Sequence, residues 1–397
     1  MLARSGTGLP ASRRVRMFGA GKTSDGKRIM DRRRVLKSGI AATLTAAFGP
    51  AAGALVREAM ERPLAERVGD MLLMGFIGSH SETEGADIID AHLAAKRIGG
   101  VLFLRHNVRS REGAEGSAAR FRATSPSSWM AIDQEGGLVQ RLSRDLGYTH
   151  IPRAMQVAEA RSPESAGDLY RLGAAEFHAA GFNMNLAPVA DLHDPDNAVI
   201  GRHGRAYGAD GETIAAYAGA FIDAFEAFGI ACAIKHFPGH GRSRGDSHDG
   251  FVDISDSWSE AELAPFRQLI ERGQAHVMMG GHLTNRQLDP TGAPVTFSAP
   301  VLEGLLRDQL GFTGVMMTDD LDMGAIRNNY SQHEAVISAI EAGNDMIMLS
   351  NSAAPDAELP QRIVGWVEAA ISEGRLTEHR INQSVARLAV LKARVGL

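Results

Sequence analysis

The sequence predicts an α/β fold, a (β/α)8 TIM-like barrel built as a single catalytic domain. Three observations carry this reading. Eight short apolar runs recur between residues 71 and 350, longer amphipathic stretches separate them, and no linker or low-complexity segment interrupts the series. A chain of 397 residues has room for one barrel of ordinary size preceded by a leader.

The candidate strands are MLLMGF (71–76), GGVLFL (99–104), WMAID (129–133), FNMNLAPV (182–189), IACAIK (230–235), AHVMMG (275–280), GVMMTD (314–319) and DMIMLS (345–350). Each is mainly apolar, as expected of a parallel strand buried on both faces, with the polar residues mostly at its ends. The stretch between the third and fourth runs is predicted to be a helix that starts at the N-cap Ser162 and stops at Gly181. GETIAAYAGAFIDAFEAFG and SEAELAPFRQLIERG read the same way, each ending in Gly. TEHRINQSVARLAVLKARVG is predicted as a final helix packed outside the barrel. An open doubly wound sheet is the alternative, and the lack of a Gly-rich phosphate fingerprint after the first strand weighs against it.

Composition narrows the function classes. Apolar residues at 44% and charged residues at 22% are ordinary for a soluble globular protein. The net charge of −5 hides an asymmetry: residues 1–62 hold 13 Lys/Arg against 4 Asp/Glu, and the remainder holds 29 against 43. An acidic body argues against nucleic acid as a partner. The lone cysteine, Cys232, sits inside an apolar run, so neither a disulfide framework nor a cysteine metal site is expected.

The first 54 residues are read as a basic N-terminal tail and an export signal, and residues 55–397 as the barrel domain. Arg32, Arg33, Val35, Leu36 and Lys37 fall on the twin-arginine pattern RRxFLK, with Val in place of Phe. A weakly apolar stretch, Ile40 to Phe48, follows, and then Ala52-Gly53-Ala54 as an A-x-A cleavage signal. The apolar stretch is too short for a stable membrane anchor. The expected location is periplasmic or secreted, or cytoplasmic if the leader does not function.

In a barrel, residues just after each strand face the active-site end. That rule collects Asp133 and Arg141 after the third strand, Asp191 and Arg205 after the fourth, and Lys235 and His236 at the fifth. It adds His282 after the sixth and Asp319, Asp320 and Asp322 after the seventh. Carboxylates, Arg, Lys and His on one rim suit a polyhydroxylated ligand. Glycosidic cleavage needs a carboxylate at the sugar carbon and an acid at the leaving oxygen. Asp319, fixed at a strand end, suits the first role. Asp246 and His248, with one residue between them in a Gly-rich loop, suit the second, since a carboxylate beside an imidazole stabilises its protonated form. His236, His240 and His248 fit no compact helical zinc pattern, so neither metal nor cofactor is expected.

These motifs together resemble those of family 3 glycoside hydrolases of the single-domain β-N-acetylglucosaminidase type, from about Pro63 onward. The most specific part is KHFPGHG, four residues, then DSH, from Lys235 to His248. DQEGG with VQRL, NAVIG with RAYG, LLRDQLGFTGVMMTDDL and GNDMIML follow the family order. The resemblance implies a retaining mechanism with Asp319 as nucleophile, His248 as acid/base and Asp246 as its partner. It implies sugar-holding roles for Asp133, Arg141, Arg205, Lys235 and His236. RAYG spacing favours Arg205 over Arg202, and Leu138 stands where the family usually has Arg. The implied protein is a monomer acting on a GlcNAc-containing glycoside or muropeptide. A β-glucosidase or a GlcNAc phosphorylase on the same scaffold is the enzymatic alternative, and a sugar-binding protein without catalysis is the alternative of another class.

Overall fold

The computed structural model describes residues 53–245 and 250–397. The leader expected at residues 1–54 lies outside the described residues except for Gly53 and Ala54, which begin a helix over 53–61.

Eight parallel strands make one sheet: β1 (Leu72–Gly75), β2 (Gly100–Phe103), β3 (Trp129–Ile132), β4 (Met184–Asn185), β5 (Ala231–Phe237), β6 (Val277–Gly280), β7 (Val315–Thr318) and β8 (Ile347–Leu349). Their order, β7-β6-β5-β4-β3-β2-β1-β8, follows the chain and brings β8 beside β1, with Leu72 paired to Ile347. The two ends of the sheet also meet. Met317 of β7 bridges to Met346, and the Met346 N–H donates to the Met316 carbonyl at 3.1 Å. The sheet is thus a closed barrel, and the doubly wound alternative is excluded.

Every expected run supplies a strand, but the fourth is shorter than its apolar stretch. FNMNLAPV pairs as a strand only at Met184–Asn185 and touches β5 again at a Val189–Lys235 bridge. Pro188 has no N–H to donate to a ladder, which limits regular pairing there. β5 runs on to Phe237, and its register against β6 shifts between Ile234 and Phe237.

A main helix follows each strand, with shorter helices between some of them: α1 (Glu84–Ala94), α2 (Arg111–Thr124), α3 (Pro163–Ala179), α4 (Gly211–Glu226), α5 (Ala264–Glu271), α6 (Pro300–Gln309, with π-type turns), α7 (Gln332–Ala342) and α8 (Leu359–Ser372). Local chemistry sets their ends. Ser162 accepts from the Ser165 N–H at the start of α3, and Gly181 just past its end takes a left-handed φ of 93°. Asp210 caps α4 in the same way through the Thr213 N–H.

The last helix, Glu378–Val395, buries Ile381, Val385, Leu388 and Leu391, a spacing of helical period. It is also pinned by charge. Asp345, wholly buried ahead of β8, accepts from Arg307 of α6 at 2.7 Å and from Arg387 of the last helix at 2.9 Å, and Arg380 lies 3.4 Å away. Burial alone would raise this carboxyl, but the three guanidiniums bring it down to about 2.

Candidate active site

The C-terminal ends of the strands enclose a cavity of about 300 Å³, lined among others by Asp133, Glu135, Arg141, Arg205, Lys235, His236, His240, Asp319 and Asp320. Six of the eight site residues expected from sequence therefore share one cavity. Asp246 and His248 lie outside the described residues. A larger cavity of about 600 Å³ beside β1 and α1 is lined mainly by apolar side chains such as Phe76, Ile77, Ile88 and Pro355, and holds none of the expected residues.

β3 delivers the acidic wall. Directly after it, Gln134–Gly136 pairs antiparallel with Val139–Gln140, and the turn between them passes through left-handed Gly136 and Gly137, at φ 108° and 59°. Buried Gln134 fixes this hairpin by exchanging hydrogen bonds with the Leu142 backbone and the Asn185 side chain. Asp133 accepts from Lys235 Nζ at 2.9 Å and from Arg141 at 3.2 Å. Glu135 accepts twice from Arg205, each at 2.8 Å, and lies 2.7 Å from Lys235 Nζ.

Two carboxylates and three cations thus form one interlocked cluster. Burial opposes the charge on Asp133, Glu135, Arg205 and Lys235, and the opposite charges overcome it. Lys235 and Arg141 hold the Asp133 carboxyl below its usual range. Arg205 and Lys235 do the same to Glu135. Lys235 in turn is raised by Asp133 and Glu135, so it stays an ammonium with fixed geometry.

Glu135 was not among the expected site residues. The signal was present, because residues 133 and 135 are two apart in extended chain and share a face. Arg205 lines the cavity, whereas Arg202 is exposed at the surface. Leu138 is also exposed, at the hairpin turn.

His236 is oriented from behind. Asp191, with no exposed surface, accepts from His236 Nδ1 at 2.7 Å and from the backbone N–H of His236 and His240 at 3.2 and 2.8 Å. Burial would raise the Asp191 carboxyl, but His236 lowers it. Asp191 therefore orients the histidine and does not line the cavity itself.

Asp319 follows β7, and its Oδ1 accepts from the Asp320 N–H at 2.8 Å. This bond steers the carboxylate. Asp320 and Asp322 act as latches to the end of β8. Asp320 accepts from the Ser350 and Asp322 N–H groups at 2.8 and 3.0 Å, and Asp322 from the Ser352 N–H at 3.1 Å. The next short helix, Gly324–Arg327, has no side-chain cap, so these aspartates do not serve as its caps. His282 is fully buried, 2.7 Å from Thr296 Oγ1 and 2.9 Å from the Asp320 carbonyl. No group of three or more potential metal ligands occurs among the described residues. No described helix is long and apolar enough to cross a membrane.

Residues 64–391 match the glycosyl hydrolase family 3 N-terminal domain. A β-hexosaminidase of Pseudomonas aeruginosa is 36% identical over 266 residues, covering 66% of this chain and 77% of that protein. Among solved structures, a glycoside hydrolase family 3 β-N-acetylglucosaminidase from Paenibacillus is 33% identical with a TM-score of 0.76. That match covers 84% of this chain, which spans 63% of the Paenibacillus chain. A β-N-acetylhexosaminidase from Beutenbergia cavernae is 30% identical with a TM-score of 0.74, covering 84% of this chain and 99% of that one.

Proposed function

The chain belongs to glycosyl hydrolase family 3, and from that premise we propose that it is a retaining exo-β-N-acetylglucosaminidase releasing terminal non-reducing GlcNAc. The observation that carries this is the cavity itself. At about 300 Å³ it is at the small end of ligand pockets, the size for one sugar residue and not for an extended chain. Its wall combines fixed donors, an acceptor carboxylate and Asp319. The β-hexosaminidase and β-N-acetylglucosaminidase names of the relatives support the same substrate class.

In the proposed reaction Asp319 attacks the anomeric carbon. A C–O bond to the carboxylate forms as the bond to the leaving oxygen breaks. His248, charged with the help of Asp246, delivers its proton to that oxygen. His248 then takes a proton from water, the water oxygen attacks the anomeric carbon, and Asp319 is released. Asp133, Arg141, Arg205, Lys235 and His236 hold the sugar hydroxyls. Ion pairs with Asp133 and Glu135 hold the Arg141, Arg205 and Lys235 donors in place before the sugar arrives, which limits reorganisation in the transition state. The substrates proposed are cell-wall fragments, reached after export through the leader.

A mechanism-based fluoroglycoside followed by peptide mass mapping tests the reading. The label is expected on the peptide containing Asp319. Turnover without a label there, or a label elsewhere, overturns the nucleophile. Product analysis with and without phosphate separates hydrolysis from phosphorolysis. Lys in place of Arg32 and Arg33 is expected to retain the protein in the cytoplasm.

A further inference from the structure

The loop that leaves β5 is clasped before it reaches Asp246. Asn197, fully buried after β4, donates through Nδ2 to the His240 carbonyl at 2.8 Å, to the Ser243 carbonyl at 3.2 Å and to Ser243 Oγ at 2.9 Å. Its Oδ1 accepts the N–H groups of Val199, Ile200 and Gly201. One side chain therefore joins the turn that carries Arg205 to the root of the loop, since the Arg205 N–H bonds the Ile200 carbonyl at 3.1 Å. The root is packed closely as well: a Cβ on Gly241 would stand 2.1 Å from the Leu192 carbonyl.

The proton positions in this clasp follow from its bonds. Three backbone N–H groups fix Asn197 Oδ1 as the acceptor, so Nδ2 must donate. Ser243 Oγ, buried, receives one of those protons and has His240 Nδ1 at 2.6 Å as its other neighbour. A buried hydroxyl proton needs an acceptor, and His240 Nδ1 is the one in reach. Ser243 therefore donates to Nδ1, and His240 carries its own proton on Nε2. Burial and the neighbouring His236 depress His240 to about 4, which is consistent with this neutral tautomer. The His240 backbone N–H is held by Asp191, the carboxylate that also orients His236. A continuous buried chain thus runs from His236 through Asp191 and His240 to Ser243 and Asn197.

We propose that Ser243 is a positioning residue that fixes the root of the loop from which Asp246 and His248, three and five residues later, deliver the proton. The proposal rests on the acid/base reading given above. A displaced acid harms only substrates that need protonation, so the loss depends on the leaving group.

The test is kcat/KM for aryl β-N-acetylglucosaminides of graded leaving-group pKa, measured on the wild type, Ser243→Ala, Ser243→Thr and His248→Ala. His248→Ala is expected to steepen the dependence on leaving-group pKa. Ser243→Ala is expected to steepen it in the same sense, with a loss about tenfold deeper for phenol than for dinitrophenol as leaving group. Ser243→Thr is expected to restore the wild-type slope. Ser243→Cys, close in size and a weak donor, carries the same test if the alanine variant does not fold. A loss equal across the series, or no loss, overturns the positioning role while leaving the His248 assignment intact. No change of slope in His248→Ala overturns the acid assignment, and the role of Ser243 with it.

Discussion

Glu135 is the most direct test of the charge cluster. Glu135→Gln keeps the shape and one acceptor oxygen, but sets an NH2 donor against two cations. The wild-type carboxylate makes three contacts of 2.7–2.8 Å with Arg205 and Lys235, whose side chains are 13% and 4% exposed. At such a distance one ion pair attracts by roughly 6 kcal/mol at an effective dielectric of about 20. Water entering the cavity and relaxation of Arg205 recover part of that. The expected net loss of stability is about 3 kcal/mol, the low end for breaking a buried pair from one side. Asp133 is then left alone against Lys235, Arg141 and Arg205. Displacement of Lys235 or Arg205 by about 1 Å is expected to lower kcat/KM on the order of 100-fold. Urea unfolding and steady-state kinetics measure the two effects. The Glu135 carboxyl is held below its ordinary range, so its contribution is fully present above the unfolded pKa and is lost as pH falls through the folded value. The variant is therefore expected to be weaker at pH 7 and at pH 5 alike. A variant within about 0.5 kcal/mol of the wild type, with kcat/KM within about twofold, refutes the argument that this carboxylate organises the sugar-binding cations.

Three further outcomes follow from buried carboxyls elsewhere. Glu262, fully buried beside the loop root, accepts from the Arg242 N–H at 3.0 Å, and burial with nearby Asp191 raises it from 4.5 to about 7. The native state then holds this proton more tightly than the unfolded chain, so stability falls as pH rises from 4.5 to 7. Glu262→Gln is expected to remove that slope and to gain on the order of 3 kcal/mol over the wild type at pH 8, read from denaturant melts at several pH values. Asp345→Asn leaves three arginines around a neutral amide and is expected to cost about 3–5 kcal/mol. Because Asp345 is depressed to about 2, the wild-type advantage is present above pH 4 and disappears as acid unfolding approaches pH 2. Asp191→Asn replaces the acceptor of His236 Nδ1 and of two backbone N–H groups. A fall of at least about tenfold in kcat/KM is expected in steady-state kinetics as the ring loses its fixed orientation and tautomer.

The barrel was legible because each strand lies in a short, mainly apolar run set off by longer amphipathic stretches, the pattern that burial on both faces demands. β4 was overread because hydrophobicity alone cannot show that Pro188 withholds a ladder donor. The rim rule found Asp133, Arg141, Arg205, Lys235, His236 and Asp319 because strand ends converge whatever the loops do. It could not separate Asp191 from these. Position after a strand looks the same for a side chain facing the cavity and for one buried behind a histidine. Asn197 and Ser243 were invisible to it, since their bond joins two loops 46 residues apart. Only the folded chain brings them together.

The Asp345 cluster also bears on how the ring is assembled. Its three arginines lie 38, 35 and 42 residues from it, all between α6 and the last helix. The pairing that seals β8 to β1 instead joins Leu72 to Ile347, across most of the domain. Closing a loop of that length is entropically unfavourable and slow, whereas the arginine contacts are made within one short stretch of chain. The C-terminal quarter can therefore consolidate as a local unit, held by its own charges, before it captures β1. On that route the barrel forms by the docking of a preassembled wedge, not by adding strands one at a time around the circle, and the late, rate-limiting event is the meeting of β8 with β1.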